Sequence, residues 1–310
     1  MKLCSLGRSP LRVSSLAYGC WRLAGSEGGP AVTGSQTGKR AVHAAVDAGY
    51  TCFDLADIYG GGRCEEIFGE TLRESPGLRD RLVIATKCGI RRANDPTPDA
   101  PFRYDFSGEY LLQAVENSLR RLGVEMVDLL MLHRPDFLMN PSEVAGVFAT
   151  LRDAGKVREF GVSNFLPSQF TALQRACPFP LIVNQIELSL RQMSPFTDGT
   201  LDQCLSETVT PMAWSPLARG ALTADSPAPS IEAASPKSLG EVLDVVARTH
   251  ETSRAVIALA WLLKHPARIL PVVGSTNPGR IAELTQAESI RLSREEWYRM
   301  LEASRGTRLP

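Results

Sequence analysis

The chain has 310 residues, of which 44% are hydrophobic and 22% charged, and its 34 basic residues balance 34 acidic ones. A chain of this length can bury a large core, and its neutral balance predicts no nucleic-acid partner. No apolar run approaches the ~18 residues that cross a bilayer, which argues against a membrane protein.

The first fourteen residues predict a β-hairpin, because a turn signal runs from Gly7 to Pro10. From there, short apolar runs alternate with helical patterns up to the end of the chain. Eight runs have the length and composition of strands that are buried on both faces. They are residues 16–20, 51–54, 81–86, 126–132, 157–162, 180–185, 208–214 and 268–273.

Amphipathic helices are predicted between these strands. The spacing of apolar residues indicates helices over 109–123, 142–156 and 237–250, and an additional helix over 291–304 that Ser293 would cap. Strict alternation of strand and helix predicts parallel strands joined by helical crossovers. Eight such units favour a single α/β domain over residues 1–310, a (β/α)₈ TIM barrel with an N-terminal β-hairpin and a C-terminal extra helix.

Two long segments separate elements of this predicted barrel, residues 88–108 and 217–237. Loops of this length are often functional, lids included, although plain disorder is an equal alternative. The first contains Arg91, Arg92 and Arg103. These arginines would either attract anionic substrates or serve only as solvated surface charge.

Polar residues end nearly every predicted strand, which points to a site at the barrel mouth. Barrel enzymes build their sites from the carboxyl ends of the strands. The residues concerned are Asp54, Lys87, His133, Ser163 with Asn164, Asn184 with Gln185, Trp214 with Ser215, and Gly274 with Ser275. Any one of them could be a cap or a solvated side chain, but the whole set on one rim predicts a functional site.

Several kinds of chemistry are disfavoured at this rim. A metal hydrolase needs several histidine or carboxylate ligands, and His133 is the only histidine predicted there. No G-x-S-x-G turn is present, and the glycines at 60–62 do not form G-x-G-x-x-G. We therefore expect neither a bound metal, nor a serine nucleophile, nor a Rossmann nucleotide site.

Tyr59, Lys87, Asp54 and His133 remain as the candidate catalytic set. A tyrosine is a weak acid near neutral pH, and a neighbouring lysine cation would lower its pKa and make it a proton donor. Asp54 would hold the lysine, and His133 would orient a substrate oxygen. Such a set protonates oxygen but carries no hydride, so a reduction would need a bound cofactor.

The ordered motifs resemble the aldo-keto reductase superfamily over nearly the whole chain. They are D-x-A-x-x-Y-G at 54–60, ATK at 85–87, LHRP at 132–135, GVSNF at 161–165, NQ at 184–185, WSPLARG at 214–220 and GSTNPGRI at 274–281. The closest resemblance is to a bacterial branch of monomeric, NADP-linked oxidoreductases with loosely defined substrates. The resemblance implies a barrel that binds NADP(H) without a Rossmann domain, with Tyr59 as general acid, Lys87 and Asp54 as its tuning partners and His133 as the group that orients the substrate.

The resemblance also implies a set of cofactor residues. Ser163, Asn164 and Gln185 match carboxamide-binding positions, and Trp214 matches the aromatic residue that stacks on nicotinamide. Ser215, Leu217 and Gly220 match the pyrophosphate loop, while Ser275, Thr276 and Arg280 match the 2′-phosphate site, with Gly274 at the cofactor-binding position just before them. Trp21 matches an aromatic residue beside the substrate cavity.

Two positions depart from the family pattern. Gly274 stands where many members have a phosphate-binding lysine, and Leu284 replaces a common asparagine near the adenine. The preference for NADP(H) over NAD(H) therefore rests mainly on Arg280, with Ser275 and Thr276.

These features predict an NADPH-dependent aldo-keto reductase that acts on a small carbonyl or alcohol substrate. We expect a cytoplasmic protein, because no signal-peptide core is present and the seven scattered cysteines never form C-x-x-C. The resemblance implies that it is a monomer. An alternative is a nucleotide-sensing interaction protein with little turnover, since some barrels of this superfamily serve as channel-associated subunits. A further hypothesis is that residues 217–237 close over the cofactor pyrophosphate and slow its release.

Overall fold

The computed structural model describes residues 1–25, 31–223 and 238–309. Twelve strands lie within these residues. They are β1 Leu3–Ser5, β2 Arg12–Ser14, β3 Ala17–Gly19, β4 Cys52–Asp54, β5 Val83–Cys88, β6 Ile90–Arg91, β7 Arg103–Tyr104, β8 Val127–Leu132, β9 Val157–Ser163, β10 Val183–Glu187, β11 Thr210–Trp214 and β12 Leu270–Val273.

Ten α-helices lie within the same described ranges. They are α1 Ala31–Asp47, α2 Arg63–Glu74, α3 Gly108–Leu122, α4 Pro141–Asp153, α5 Pro167–Ala176, α6 Thr200–Glu207, α7 Leu239–Thr249, α8 Arg254–Leu263, α9 Pro278–Leu284 and α10 Arg294–Arg305. Among these described helices, none is both long enough and apolar enough to cross a bilayer.

Eight parallel strands close into a barrel in the order β3-β4-β5-β8-β9-β10-β11-β12, and β12 pairs with β3. The predicted (β/α)₈ architecture is therefore confirmed. All eight predicted strands are barrel strands. The N-terminal hairpin is formed by β1 and β2, and the extra helix is α10, which a capping box between Ser293 and Glu296 starts.

The molecule has two hydrophobic layers. The inner layer fills the lower barrel and is closed by the hairpin, whose Leu6, Leu11 and Val13 pack with inward-facing strand residues such as Met131 and Met212. The outer layer lies between the barrel and the surrounding helices. The strands therefore need apolar residues on both faces, which explains their continuous apolar sequence.

Two segments differ from a simple alternation of strand and helix. Residues 88–108 include the short antiparallel pair β6 and β7, with Ile90 opposite Tyr104. Ion pairs from Arg91 to Asp95 and Asp105 stabilise this excursion. Most of the predicted pyrophosphate-closing segment 217–237 lies outside the described residues, because the structure describes this region only up to residue 223.

Candidate active site

The side-chain alternation of the strands places four polar residues in the top layer of the barrel interior. In β4, β5, β8 and β10 the inner core layer includes Cys52, Ala85, Met131 and Val183. The residue two positions further along each strand direction points to the same side. These residues are Asp54, Lys87, His133 and Gln185, and all four are buried.

Lys87 is the centre of this layer. Its fully buried Nζ lies 2.8 Å from Oδ1 of Asp54 and donates to the backbone oxygen of Leu55 at 2.7 Å and to the hydroxyl of Tyr59 at 3.1 Å. An ammonium group has three donors, and each has an acceptor here. The orientation of the charge is therefore fixed by the protein.

Asp54 has a second partner that the sequence did not indicate. Nε2 of Gln185 donates to Oδ1 of Asp54 at 2.8 Å. The side-chain amide of Gln185, which was matched to nicotinamide binding, thus binds across the barrel to Asp54 of the candidate catalytic set. The backbone oxygen of Gln185 also accepts hydrogen bonds from Oγ of Ser163 and from the backbone N–H of Asn164.

Tyr59 enters the site from the loop between β4 and α2. Three consecutive glycines follow it, with φ of 57°, 65° and 92°, and the last directly precedes α2. Left-handed backbone of this kind favours glycine, so the run reverses the chain behind Tyr59. This arrangement matches a structural turn and not a phosphate cradle.

The pKa of Tyr59 differs from the expectation drawn from its lysine neighbour. Burial raises the pKa of Tyr59 above its ordinary value, and the Lys87 cation opposes this rise without cancelling it. Lys87 thus acts in the expected direction, but loss of hydration is the stronger effect. The prediction of a net lowered pKa was wrong for this state of the protein.

Lys87 and His133 differ in charge, because burial affects their pKa values with different outcomes. Burial by itself lowers the pKa of Lys87, but the Asp54 carboxylate and Tyr59 outweigh burial, so the pKa of Lys87 is raised. Burial lowers the pKa of His133 well below its usual range, and the Lys87 and Arg134 charges add to this effect. The site therefore contains a charged ammonium beside a neutral imidazole.

His133 faces Tyr59 with one ring atom unused. The two ring centroids are 5.7 Å apart and nearly perpendicular, and Nδ1 of His133 is buried without a hydrogen-bond partner within the described residues. A buried polar atom without a partner is uncommon in a folded protein.

The residues matched to the nicotinamide form a continuous chain of hydrogen bonds. Nε1 of Trp214 donates to Oδ1 of Asn164 at 3.0 Å, and Nδ2 of Asn164 donates to Oγ of Ser163 at 2.7 Å. Asn164 has φ of 61°, a left-handed conformation that asparagine tolerates. These contacts fix the Trp214 indole and the Asn164 side-chain amide beside the polar top layer of the barrel interior.

The two segments matched to the cofactor phosphates lie after neighbouring strands β11 and β12. After β11, the backbone oxygens of Ser215 and Leu217 accept hydrogen bonds from the amides of Ala218 and Gly220. After β12, Ser275 accepts from Tyr18 Oη through its backbone oxygen and from the Asn277 amide through its hydroxyl. Gly274 lies between β12 and these groups, Thr276 is half-buried, and Arg280 is exposed on α9.

The donors at these strand ends fit a pyridine nucleotide. The amide of Asn164 and the indole of Trp214 lie beside the polar top layer of the barrel interior. The hydroxyls of Ser275 and Thr276 and the guanidinium of Arg280 follow β12 at the same end of the barrel. Arginine and hydroxyl groups are suited to phosphate oxygens. Arg22, which the sequence interpretation missed, also reaches this region and donates to the backbone oxygen of Gly274 at 3.3 Å.

The arginines of loop 88–108 are occupied within the protein. Arg91 pairs with two aspartates, Arg92 donates to the backbone oxygen of Ile58, and Arg103 donates to the backbone oxygens of Asp95 and Pro101. They therefore shape the loop. Trp21 is 57% exposed at the mouth after β3, in keeping with a residue beside a substrate cavity.

A buried ion pair supports the Tyr59 loop from below and was not found from the sequence. Glu65 on α2 is fully buried and pairs with Nε of Arg121 on α3 at 2.7 Å. It also accepts a hydrogen bond from Thr86, the neighbour of Lys87 in β5. The pairing joins three elements that are distant in sequence, so no local pattern could have indicated it.

Comparison with known proteins identifies the family. A model of the aldo/keto reductase family matches residues 15–305. The chain belongs to the aldo/keto reductase family. It is 42% identical over 311 residues to the 6-dehydroglucose reductase of Novosphingobium aromaticivorans, covering 98% of this chain and 96% of that protein.

Two further relatives support the assignment. The 6-dehydroglucose reductase of Agrobacterium fabrum is 37% identical over 94% of this chain and 94% of its own length. Among solved structures, the aldo/keto reductase of Klebsiella pneumoniae in complex with NADP and acetate matches with a TM-score of 0.75 at 25% identity, covering 93% of this chain and 90% of that chain. This aldo/keto reductase is therefore an oxidoreductase that acts on carbonyl or alcohol groups.

Proposed function

We propose that the protein is an NADPH-dependent reductase of aldehydes or ketones, with Tyr59 as proton donor. The observation that carries the proposal is the hydrogen-bonded arrangement of Tyr59, Lys87 and Asp54 in the top layer of the barrel. The Klebsiella relative binds NADP, which supports the choice of cofactor. The reverse reaction would oxidise an alcohol.

The protein residues would act as follows. NADPH, when bound, supplies the hydride. Tyr59 stays protonated in the free enzyme because burial raises its pKa, and it releases its proton when negative charge develops on the substrate oxygen. Lys87, held by Asp54, stabilises the phenolate that this transfer leaves. Neutral His133 hydrogen-bonds the same oxygen and orients it.

The cofactor would lie along the groove after strands β9 to β12. Ser163 and Asn164 would hold the carboxamide, and Trp214 would stack on the nicotinamide. Gln185 would support the same end through Asp54. Ser215, Leu217 and Gly220 would surround the pyrophosphate. Ser275, Thr276 and Arg280 would select the 2′-phosphate, with the backbone at Gly274 beside them.

A sugar-derived aldehyde is the favoured substrate class. Two relatives, 42% and 37% identical to this chain, are named 6-dehydroglucose reductase. The alternative of a nucleotide-sensing protein with little turnover is less consistent with an intact proton-donating set. Steady turnover of any carbonyl substrate would separate the two functions.

The test is Tyr59→Phe, assayed by NADPH oxidation with a panel of aldehydes, ketones and dicarbonyls. Loss of the proton donor should reduce kcat by about 10²-fold or more, while the NADPH dissociation constant, measured by fluorescence, changes less than twofold. A Phe variant that retains most of its activity would refute Tyr59 as the donor. His43→Phe, a change in α1 away from the mouth, is the matched control and should stay active.

A further inference from the structure

Arg134 is a cation at the barrel mouth whose guanidinium makes no hydrogen bond to the described residues. It follows His133 directly, is half-buried, and has its guanidinium carbon 5.3 Å from the centre of the Trp214 ring. Across the described ranges of the chain, no carboxylate or carbonyl oxygen accepts a hydrogen bond from it. The indole offsets its charge by about 0.5–1 kcal/mol but provides no acceptor oxygen.

Other arginines on the neighbouring loops differ in this respect. Arg91, Arg92 and Arg103 all donate to oxygens of the protein, as described above. A guanidinium has five N–H donors in a planar fork, and half-buried donors are normally satisfied. Arg134 therefore offers donors to whatever occupies the mouth.

The position of Arg134 decides what it would contact. It is the chain neighbour of His133, the group proposed to orient the substrate oxygen, and its guanidinium lies over Trp214, the ring proposed to carry the nicotinamide. A substrate carbonyl held by His133 and Tyr59 would place its neighbouring carbon, rather than its reacting oxygen, towards the other side of the mouth. An oxygen on that carbon would accept hydrogen bonds from the guanidinium.

We propose that Arg134 is a specificity-determining residue that recognises an oxygen acceptor on the carbon next to the substrate carbonyl. This inference rests on the proposed reductase function and defines its substrate class as 2-oxygenated carbonyl compounds. The acceptor is a hydroxyl or ether oxygen in a sugar aldehyde, or a carboxylate in a 2-oxo acid. Each would place an acceptor oxygen next to the guanidinium donors, and the experiment distinguishes the two groups.

The experiment measures kcat/KM at saturating NADPH for three small aldehydes. Propanal has no neighbouring oxygen, glyceraldehyde has a neighbouring hydroxyl, and glyoxylate has a neighbouring carboxylate. Each is assayed with wild-type enzyme, Arg134→Met and Arg134→Lys. Hydration of the aldehydes in water is the same for every variant, so it cancels when variants are compared.

Arg134→Met should lower kcat/KM at least tenfold for the oxygenated aldehyde that the site recognises and less than threefold for propanal. Arg134→Lys keeps the charge and loses the fork. In Arg134→Met, a larger loss on glyoxylate than on glyceraldehyde would identify the carboxylate as the natural acceptor, and Arg134→Lys, which keeps the charge, should then retain part of the glyoxylate activity. A larger loss on glyceraldehyde in Arg134→Met than on glyoxylate would identify the hydroxyl. Arg103→Met, which removes a loop arginine that bonds only to backbone, is the matched control and should change no ratio.

An equal loss for all three aldehydes in Arg134→Met, or a changed NADPH dissociation constant alone, would mean that Arg134 only supports Trp214, and the inference would be overturned. Absence of turnover by the wild-type enzyme on every aldehyde would overturn the proposed function, and this inference with it. Turnover with an unchanged preference in Arg134→Met overturns the inference alone.

Discussion

The glycine run behind Tyr59 permits a sharp test of how the site is supported. At Gly62, where φ is +92°, an added Cβ would lie 2.8 Å from Cδ and 3.0 Å from Nε of Arg121. At Gly61, where φ is +65°, an added Cβ would meet no heavy atom within 4 Å. The variants Gly62→Ala and Gly61→Ala both place an alanine at positive φ, and only the first disturbs Arg121.

The expected magnitudes follow from these contacts. A left-handed backbone costs a non-glycine residue about 1–2 kcal/mol, and both variants incur this cost. Gly62→Ala also displaces Arg121 from the fully buried Glu65 carboxylate. Loss of a charged hydrogen bond costs about 1.5–3 kcal/mol, so Gly62→Ala should lose ~2 kcal/mol more than Gly61→Ala. Reduced freedom of the unfolded chain affects both variants alike and cancels.

Urea unfolding followed by circular dichroism provides the measurement. The difference in midpoint, at unchanged slope, gives the difference in the free energy of unfolding. In an Arg121→Ala background the extra cost of Gly62→Ala should disappear, because the side chain that it displaces is absent. Equal losses for the two glycine variants in the wild-type background would refute the steric argument.

Two further predictions concern stability. Burial, with Glu65 adding to its effect, raises the pKa of Asp57 to about 7, and Oδ1 of Asp57 has no hydrogen-bond partner within the described residues. The folded protein keeps this proton where the unfolded chain loses it, so stability falls as pH rises from about 4 through about 7. The free energy of unfolding of Asp57→Asn, taken relative to wild type, should therefore rise by about 2 kcal/mol from pH 5 to pH 8, as measured by urea unfolding. A difference between the two proteins that does not change with pH would contradict the raised pKa. Ser293→Ala removes the side-chain cap of α10 and should cost about 1 kcal/mol, which Ser293→Asp should largely restore.

The barrel strands were predictable because each is buried on both faces, and errors were confined to their ends. The predicted strand 81–86 is β5, Val83–Cys88, so the observed strand extends two residues further and includes Lys87. The predicted strand 180–185 starts too early, because the observed strand β10 starts at Val183. Ile182, just before it, is apolar because it packs in the inner layer with the hairpin, so the apolar run is longer than the strand. Strands β6 and β7 have two residues each, too few to produce a periodic pattern.

The candidate site was predictable only where it follows from topology. Parallel strands bring their carboxyl ends to one rim, so a list of strand ends was enough to group Asp54, Lys87 and His133. The hydrogen bond from Gln185 to Asp54 joins residues that are 131 positions apart in the sequence, and it depends on the register of the barrel strands. The pKa direction of Tyr59 depends on the depth of burial, which no local sequence pattern encodes.

Because side chains alternate along a strand, the packing of the core and the position of the polar site residues depend on the same strand register. In β4 and β5 the inward positions change from apolar to polar within two residues, at Cys52 to Asp54 and at Ala85 to Lys87. The strand pairing sets Asp54 opposite Ala85, so Lys87 lies one inward position higher and reaches the carboxylate diagonally. A slip of one residue would turn these polar groups towards the helices and leave a buried charge without a partner. The apolar lower layer therefore fixes the register that brings Lys87 within hydrogen-bonding distance of Asp54 and Tyr59.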